Sequence, residues 1–112
     1  MLRPGIVHRI DMDTTGIIIA CKNDNAHQHI AKQLAEHSIT RKYVAIVAGN
    51  IKDDEGTVDA PIARSKNDRK KMAVDKDGKR AVTHYKVIER LNNYTCIECV
   101  LETGRTHQIR VH

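Results

Sequence analysis

Val7-His8-Arg9-Ile10-Asp11-Met12-Asp13-Thr14-Thr15-Gly16 runs straight into the apolar Ile17-Ile18-Ile19-Ala20-Cys21. The first part carries a carboxylate, a cation two positions before it, and a polar corner that closes on glycine. The second part has no polar side, which predicts a strand buried on both faces. A carboxylate beside such a strand sits in a low-dielectric setting, where its charge needs a partner. The partner this sequence offers lies at its far end, in Thr103-Gly104-Arg105-Thr106-His107-Gln108-Ile109-Arg110. The expectation is that Asp11 and Arg105 meet in space and that Asp11 does chemistry.

Outward from this stretch, Asn23 or Asp24 is placed to cap a helix. Ala26, Ile30 and Leu34 repeat every four residues, with Ala31 and Ala35 alongside, which draws one apolar stripe between Ala26 and Glu36. His27, His29 and His37 fall on or near the other face, as solvated residues. Lys42-Tyr43 leads into Val44 to Ala48, a strand apolar on both faces. Thr57 to Ile62 reads as a short strand containing Pro61, and so as an edge. Met72 to Val74 and Ala81 to Leu91 read as two strands joined through Asp75 to Lys79, with Asp77-Gly78 supplying a hairpin turn. Asn92-Asn93 turns the chain again, and Tyr94 to Glu102 runs back. Gly104 breaks that strand, and Thr106 is placed to cap a helix from His107. The fold class is therefore α+β: a mixed, mostly antiparallel sheet with one full helix and the start of a second. Arg110-Val111-His112 ends inside a helical pattern, and a doubly buried strand asks for more cover than 112 residues offer. Residues 1–112 are thus expected to be a fragment of one larger domain.

A formal net charge of +5 admits an anionic partner. The absence of Phe and Trp, with three Tyr, argues against an aromatic platform for stacking bases; RNA would have to be met with charge, shape and a pocket. Arg64-Ser65-Lys66-Asn67-Asp68-Arg69-Lys70-Lys71 holds five cations and one acid. Arg64, Lys66, Arg69, Lys70 and Lys71 fit either a solvated loop or contacts to backbone phosphates. The longest apolar run is too short to cross a bilayer and no signal peptide is visible, so a soluble cytoplasmic protein is expected.

Cys21, Cys96 and Cys99 are odd in number, so no complete disulfide framework forms. Cys96 and Cys99 are spaced for metal or redox use but lie in an alternating, strand-like segment. Residues three apart on a strand point to opposite faces, which favours packing over chelation. A phosphate loop is excluded by the lack of Gly-Lys-Ser/Thr, and a serine or cysteine nucleophile by the lack of an elbow motif. No pair of histidines has zinc-helix spacing, so no metal site is expected.

His8-Arg9-Ile10-Asp11 with Thr14-Thr15-Gly16, then Lys42-Tyr43, then Thr103 to His112 resembles the RluA/RluD-type pseudouridine synthases. The three motifs stand in the family's order and span nearly the whole chain. Ile10 stands where leucine is usual in that family and Thr15 where serine is usual. The resemblance implies an RNA-modifying isomerase that converts uridine to pseudouridine in structured RNA, with 23S ribosomal RNA first and transfer RNA second. It implies no metal and no organic cofactor; a monomer with no membrane partner is expected. Asp11 would be the essential carboxylate, attacking the sugar or assisting glycal formation. Arg9 would fill the gap left by the extruded uridine. Tyr43 would pack on the flipped uracil, and Arg105 would hold Asp11 ionised and aimed. His8 would be structural, and His107, Gln108 and Arg110 scaffold or backbone contacts rather than catalysts. The alternative is a catalytically incomplete fragment that acts only as a basic RNA-binding module; a third reading is a hydrolase or redox protein using Cys96 and Cys99.

Overall fold

The computed structural model describes residues 4–112. The chain divides into two compact units, Met1–Ile39 and Thr40–His112. Each is described by itself.

In the first unit, Gly5 and Ile6 meet the apolar run from the other side of the Asp11 turn. Ile6 bridges Ala20 in antiparallel fashion, and the Cys21 N–H donates to Gly5 O at 2.9 Å. Gly5 has φ +81° and a Cβ there would stand 2.7 Å from Cys21 O, so only glycine fits this crossing. The expected strand buried on both faces is not formed. Ala20 alone takes part in a bridge, and Ile17 is 86% exposed. An apolar run signals burial only where a neighbouring ladder exists to bury it, and a single bridge provides little. Helix α1, Asp24–Ala35, follows. Asn23 caps it, its side chain accepting from the Ala26 N–H at 2.9 Å. Ala26, Ile30, Ala31 and Leu34 are half-buried along one stripe. His27, expected in solvent, is half-buried on the border of that stripe, with its Nδ1 buried.

The second unit is built on a four-stranded sheet. Its strands are β1 (Arg41–Ala48), β2 (Glu55–Asp59), β5 (Val82–Leu91) and β6 (Tyr94–Leu101), in the order β1-β6-β5-β2. A separate two-stranded sheet joins β3 (Ile62–Arg64) to β4 (Met72–Val74). Every pairing among the described residues is antiparallel. The structure is therefore α+β. Asn92-Asn93 makes the β5–β6 hairpin as the sequence predicts, with Asn93 in the left-handed region at φ 64°. β2 is an edge of the sheet, but it ends at Asp59 and Pro61 falls between β2 and β3. A residue without an N–H cannot extend either ladder.

The partner of β4 corrects the sequence reading. Met72 to Val74 pairs with β3, not with the strand that follows it. The Asp75–Gly78 turn does form: Gly78 N–H donates to Asp75 O at 2.8 Å, and Asp77 N–H to Asp75 Oδ1 at 2.9 Å. It returns the chain onto Ile62, where Lys79 N–H donates to Ile62 O at 2.9 Å and receives the reciprocal bond. A Cβ on Gly78 would lie 2.6 Å from the Ile62 carbonyl, so the glycine serves close backbone approach.

The core lies on one face of the large sheet and around its β3-proximal end: Ile62, Ala81, Val82, Ile97 and Cys99 are buried. β1 is apolar on both faces, but only one is covered: Arg41, Tyr43, Ala45 and Val47 are half-buried, while Val44 and Ile46 are 67% and 66% exposed. Helix α2 is Gln108–Val111 and does not begin with a Thr106 cap. Its first flanking residue is His107 at φ 56°, with no side-chain cap. No helix among the described residues is long and apolar enough to cross a membrane.

Candidate active site

Asp11 and Arg9 lie in the first unit. The Thr14 N–H donates to Asp11 O at 3.1 Å, which closes the polar corner over Met12 and Asp13. Asp11 is half-buried, Arg9 exposed. His8 Nε2 accepts from the Ile19 N–H at 2.9 Å. That bond makes Nε2 the acceptor, so the neutral ring carries its proton on Nδ1. His8 is thus a brace that ties the start of the turn to the apolar run beyond it. The result is a carboxylate on a short, pinned loop with a guanidinium two residues away in solvent.

Tyr43 and Arg105 lie in the second unit. Tyr43 lies in β1 opposite Cys99 of β6, on the half-buried face. Arg105 follows Gly104 on the segment between β6 and α2, half-buried, its Nε donating to Arg80 O at 2.8 Å. That segment is held by Gln108, which the sequence placed among scaffold or backbone contacts. Gln108 is 3% exposed. Its Oε1 accepts from Thr103 Oγ1 at 2.6 Å and from the Arg105 N–H at 3.0 Å. Its Nε2 donates to Val82 O at 3.0 Å and to Thr83 Oγ1 at 2.9 Å. Both donors and both lone-pair positions of the amide are used, which fixes its orientation. The chain of bonds continues through Thr83 Oγ1 to His112 Nδ1 at 2.8 Å, and from His112 Nε2 to Ala60 O at 2.9 Å. Since Ala60 O only accepts, Nε2 carries the proton and the Thr83 hydroxyl donates to Nδ1.

The basic loop is the connection between β3 and β4, and its cations are held differently. Arg64 Nη1 donates back to Arg69 O at 2.8 Å. Lys66 is drawn toward Asp75 at 3.6 Å. Arg69, Lys70 and Lys71 are exposed. Arg64 and Arg105 line one cavity of about 500 Å³, together with Lys79, Asp77 and the apolar Ile62 and Met72. Two further cations escaped the sequence reading. Lys79 was taken as a turn residue. Arg41 was passed over, yet its Nη1 packs against Gly104 and its Nε and Nη2 are buried without a partner among the described residues. Nothing local in the sequence marks either, because their neighbours come from distant segments.

A separate polar cluster lies on the outer face. Thr57 Oγ1 meets His84 Nδ1 at 2.8 Å, and His84 Nε2 meets Glu102 Oε2 at 2.5 Å. Arg80 Nη2 stands 3.4 Å from Glu102 Oε1. The bond from His84, with help from Arg80, holds the Glu102 carboxyl below its ordinary value of 4.5. A carboxyl with a lowered folded-state value binds its proton later in the folded than in the unfolded chain. Its stabilising effect is therefore present above the unfolded value and disappears as pH falls through the folded one. Thermal melts from pH 6 to pH 3 are expected to show a smaller acid loss of Tm in Glu102→Gln than in the wild type; parallel curves would remove this linkage.

Cys96 and Cys99 lie on opposite faces of β6, Cys99 buried and Cys96 half-buried. Burial, and secondarily the charge of Glu98, pushes the Cys99 thiol up. A thiol held protonated is a poor nucleophile.

Against known proteins, the chain is 58% identical over 112 residues to an uncharacterised RNA pseudouridine synthase of Bacillus subtilis, covering 100% of this chain and 37% of that protein. It is 59% identical over 112 residues to the ribosomal large subunit pseudouridine synthase D of Zymomonas mobilis, covering 98% and 35%. The chain thus spans about a third of the length of these curated relatives. Among solved structures it superposes on human RNA pseudouridylate synthase domain containing 1 with a TM-score of 0.89, over 96% of this chain and 48% of that one. The identity there is 24%, a likeness of fold. For human RNA pseudouridylate synthase domain containing 4 the TM-score is 0.80 at 26% identity, over 96% and 45%. A family model described as RNA pseudouridylate synthase matches residues 1–112, the whole sequence, and the chain belongs to that family.

Proposed function

We propose that this chain is part of the catalytic domain of an RNA pseudouridine synthase that isomerises uridine in structured RNA, with large-subunit ribosomal RNA as the substrate class. The observation that carries this reading is the end-to-end family match together with the pinned loop that presents Asp11. Ribosomal RNA is favoured because the Zymomonas mobilis relative bears that substrate in its name.

In the proposed reaction the N1–C1′ bond of uridine breaks and a C5–C1′ bond forms. N1 gains a proton and C5 gives one up, so nothing is consumed. Asp11 is the carboxylate that attacks the sugar or takes its proton. Arg105 is the guanidinium that holds it. Tyr43 packs on the uracil and assists removal of the C5 proton. Arg9, exposed beside Asp11, fills the space of the extruded nucleoside, offsetting a flipping cost of roughly a few kcal/mol. Arg64, Lys66, Arg69, Lys70 and Lys71 meet backbone phosphates.

The test uses the intact protein on unmodified large-subunit ribosomal RNA, with nuclease digestion and chromatography of nucleosides. Pseudouridine is expected to appear in step with loss of uridine. Its absence from both ribosomal and transfer RNA would overturn the reading.

A further inference from the structure

The cavity beside Arg105 brings together cations from three separate segments. Arg64 ends β3, Lys79 follows the Asp75–Gly78 turn, and Arg105 precedes α2. They face one carboxylate, Asp77. Two of the three are pre-set: Arg64 is tied through Nη1 to Arg69 O and Arg105 through Nε to Arg80 O, each at 2.8 Å. A guanidinium held by one nitrogen loses less freedom when the others bind an anion. Arg41 adds a fourth positive group behind the wall residue Gly104, with two buried nitrogens unpaired among the described residues. Buried N–H groups of a cation are costly unless an acceptor is near, so this corner favours negative charge. Half-buried Met72 gives the same cavity an apolar side. A volume of about 500 Å³ falls among sites that hold small ligands (roughly 300–1,000 Å³).

We propose that this cavity is a nucleotide subsite: one nucleotide of the RNA substrate enters it, its phosphate held by Arg64 and Lys79 and its base lying against Met72. This rests on the reading of the chain as an RNA-modifying enzyme and adds Lys79 to its binding residues. It also separates Arg64 from the rest of the basic loop, whose other cations meet phosphates only in solvent.

The experiment has two arms, both on the intact protein. In the first, affinity for single-stranded oligouridylate is measured against salt for wild type, Lys79→Gln and Lys52→Gln. Lys52 is an exposed lysine at the opposite end of the sheet, where its carbonyl meets Arg90. Lys79→Gln is expected to weaken binding roughly tenfold at low salt. It should also flatten the log–log salt slope by about 0.7, the loss of one phosphate contact on a single strand. Lys52→Gln is expected to change neither. In the second arm the protein carries ¹³C-methyl methionine. UMP is expected to shift the Met72 methyl signal in wild type but not in Lys79→Gln, and inorganic phosphate to leave it in place.

Wild-type affinity and slope in Lys79→Gln, an equal loss in Lys52→Gln, or a Met72 signal indifferent to UMP each overturns the subsite. Pseudouridine formation by the wild type is scored alongside. Product with no effect of Lys79→Gln removes the subsite and leaves the enzyme; both Lys79 effects without product do the reverse.

Discussion

Gln108→Leu is expected to destabilise the protein by about 2–5 kcal/mol, enough to remove a large part of the stability of an ordinary small domain. Leucine fits the volume but satisfies none of the four bonds that the amide makes to Val82, Thr83, Thr103 and Arg105. Two of the groups have other partners: Val82 O also accepts from the Glu102 N–H at 3.2 Å, and Thr83 keeps His112. The buried Thr103 hydroxyl hydrogen and the half-buried Arg105 N–H do not, and a stranded buried donor costs about 1–3 kcal/mol. Gln108→Glu separates shape from bonding. It keeps an oxygen for Thr103 and Arg105, but turns a second oxygen toward the Val82 carbonyl. It is expected to be destabilised at neutral pH and partly restored in acid, where a protonated carboxyl can donate. Urea unfolding at pH 7 and pH 5 checks both variants; wild-type midpoints would show that this network carries no stability.

Features set by a few adjacent residues were legible in the sequence: a cap at Asn23 or Asp24 for α1, the Asn92-Asn93 turn, the strand alternation that puts Cys96 and Cys99 on opposite faces. Features set by distant partners were not. Asp77-Gly78 announced a turn but could not say that Met72 to Val74 would pair backward with Ile62 to Arg64. Ile17 to Cys21 announced burial, yet burial needs a neighbour, and Ile17 stands in solvent. Of the candidate residues, those of the Asp11 loop and Arg105 were visible as motifs. Gln108 was quoted among them but its partners, Val82 and Thr83, stand 26 and 25 residues away. Arg41 and Lys79 acquire meaning only from the segments that fold against them.

The second large effect concerns Asp11. In the proposed reaction its carboxylate takes part in breaking or forming the glycosidic bond. The Asp11→Asn change keeps the size of the side chain, and the loop is pinned by backbone groups and by His8, so folding and RNA affinity should change little. What is lost is a nucleophile or base for which an amide is no substitute, worth at least roughly 10³-fold in rate. The most direct measurement is single-turnover pseudouridine formation by intact wild-type and Asp11→Asn protein on the same saturating RNA, with RNA affinity measured for both. Matched affinity is expected, with a rate lowered at least about a thousandfold in the variant. Product at the wild-type rate from Asp11→Asn would contradict a chemical role for this carboxylate.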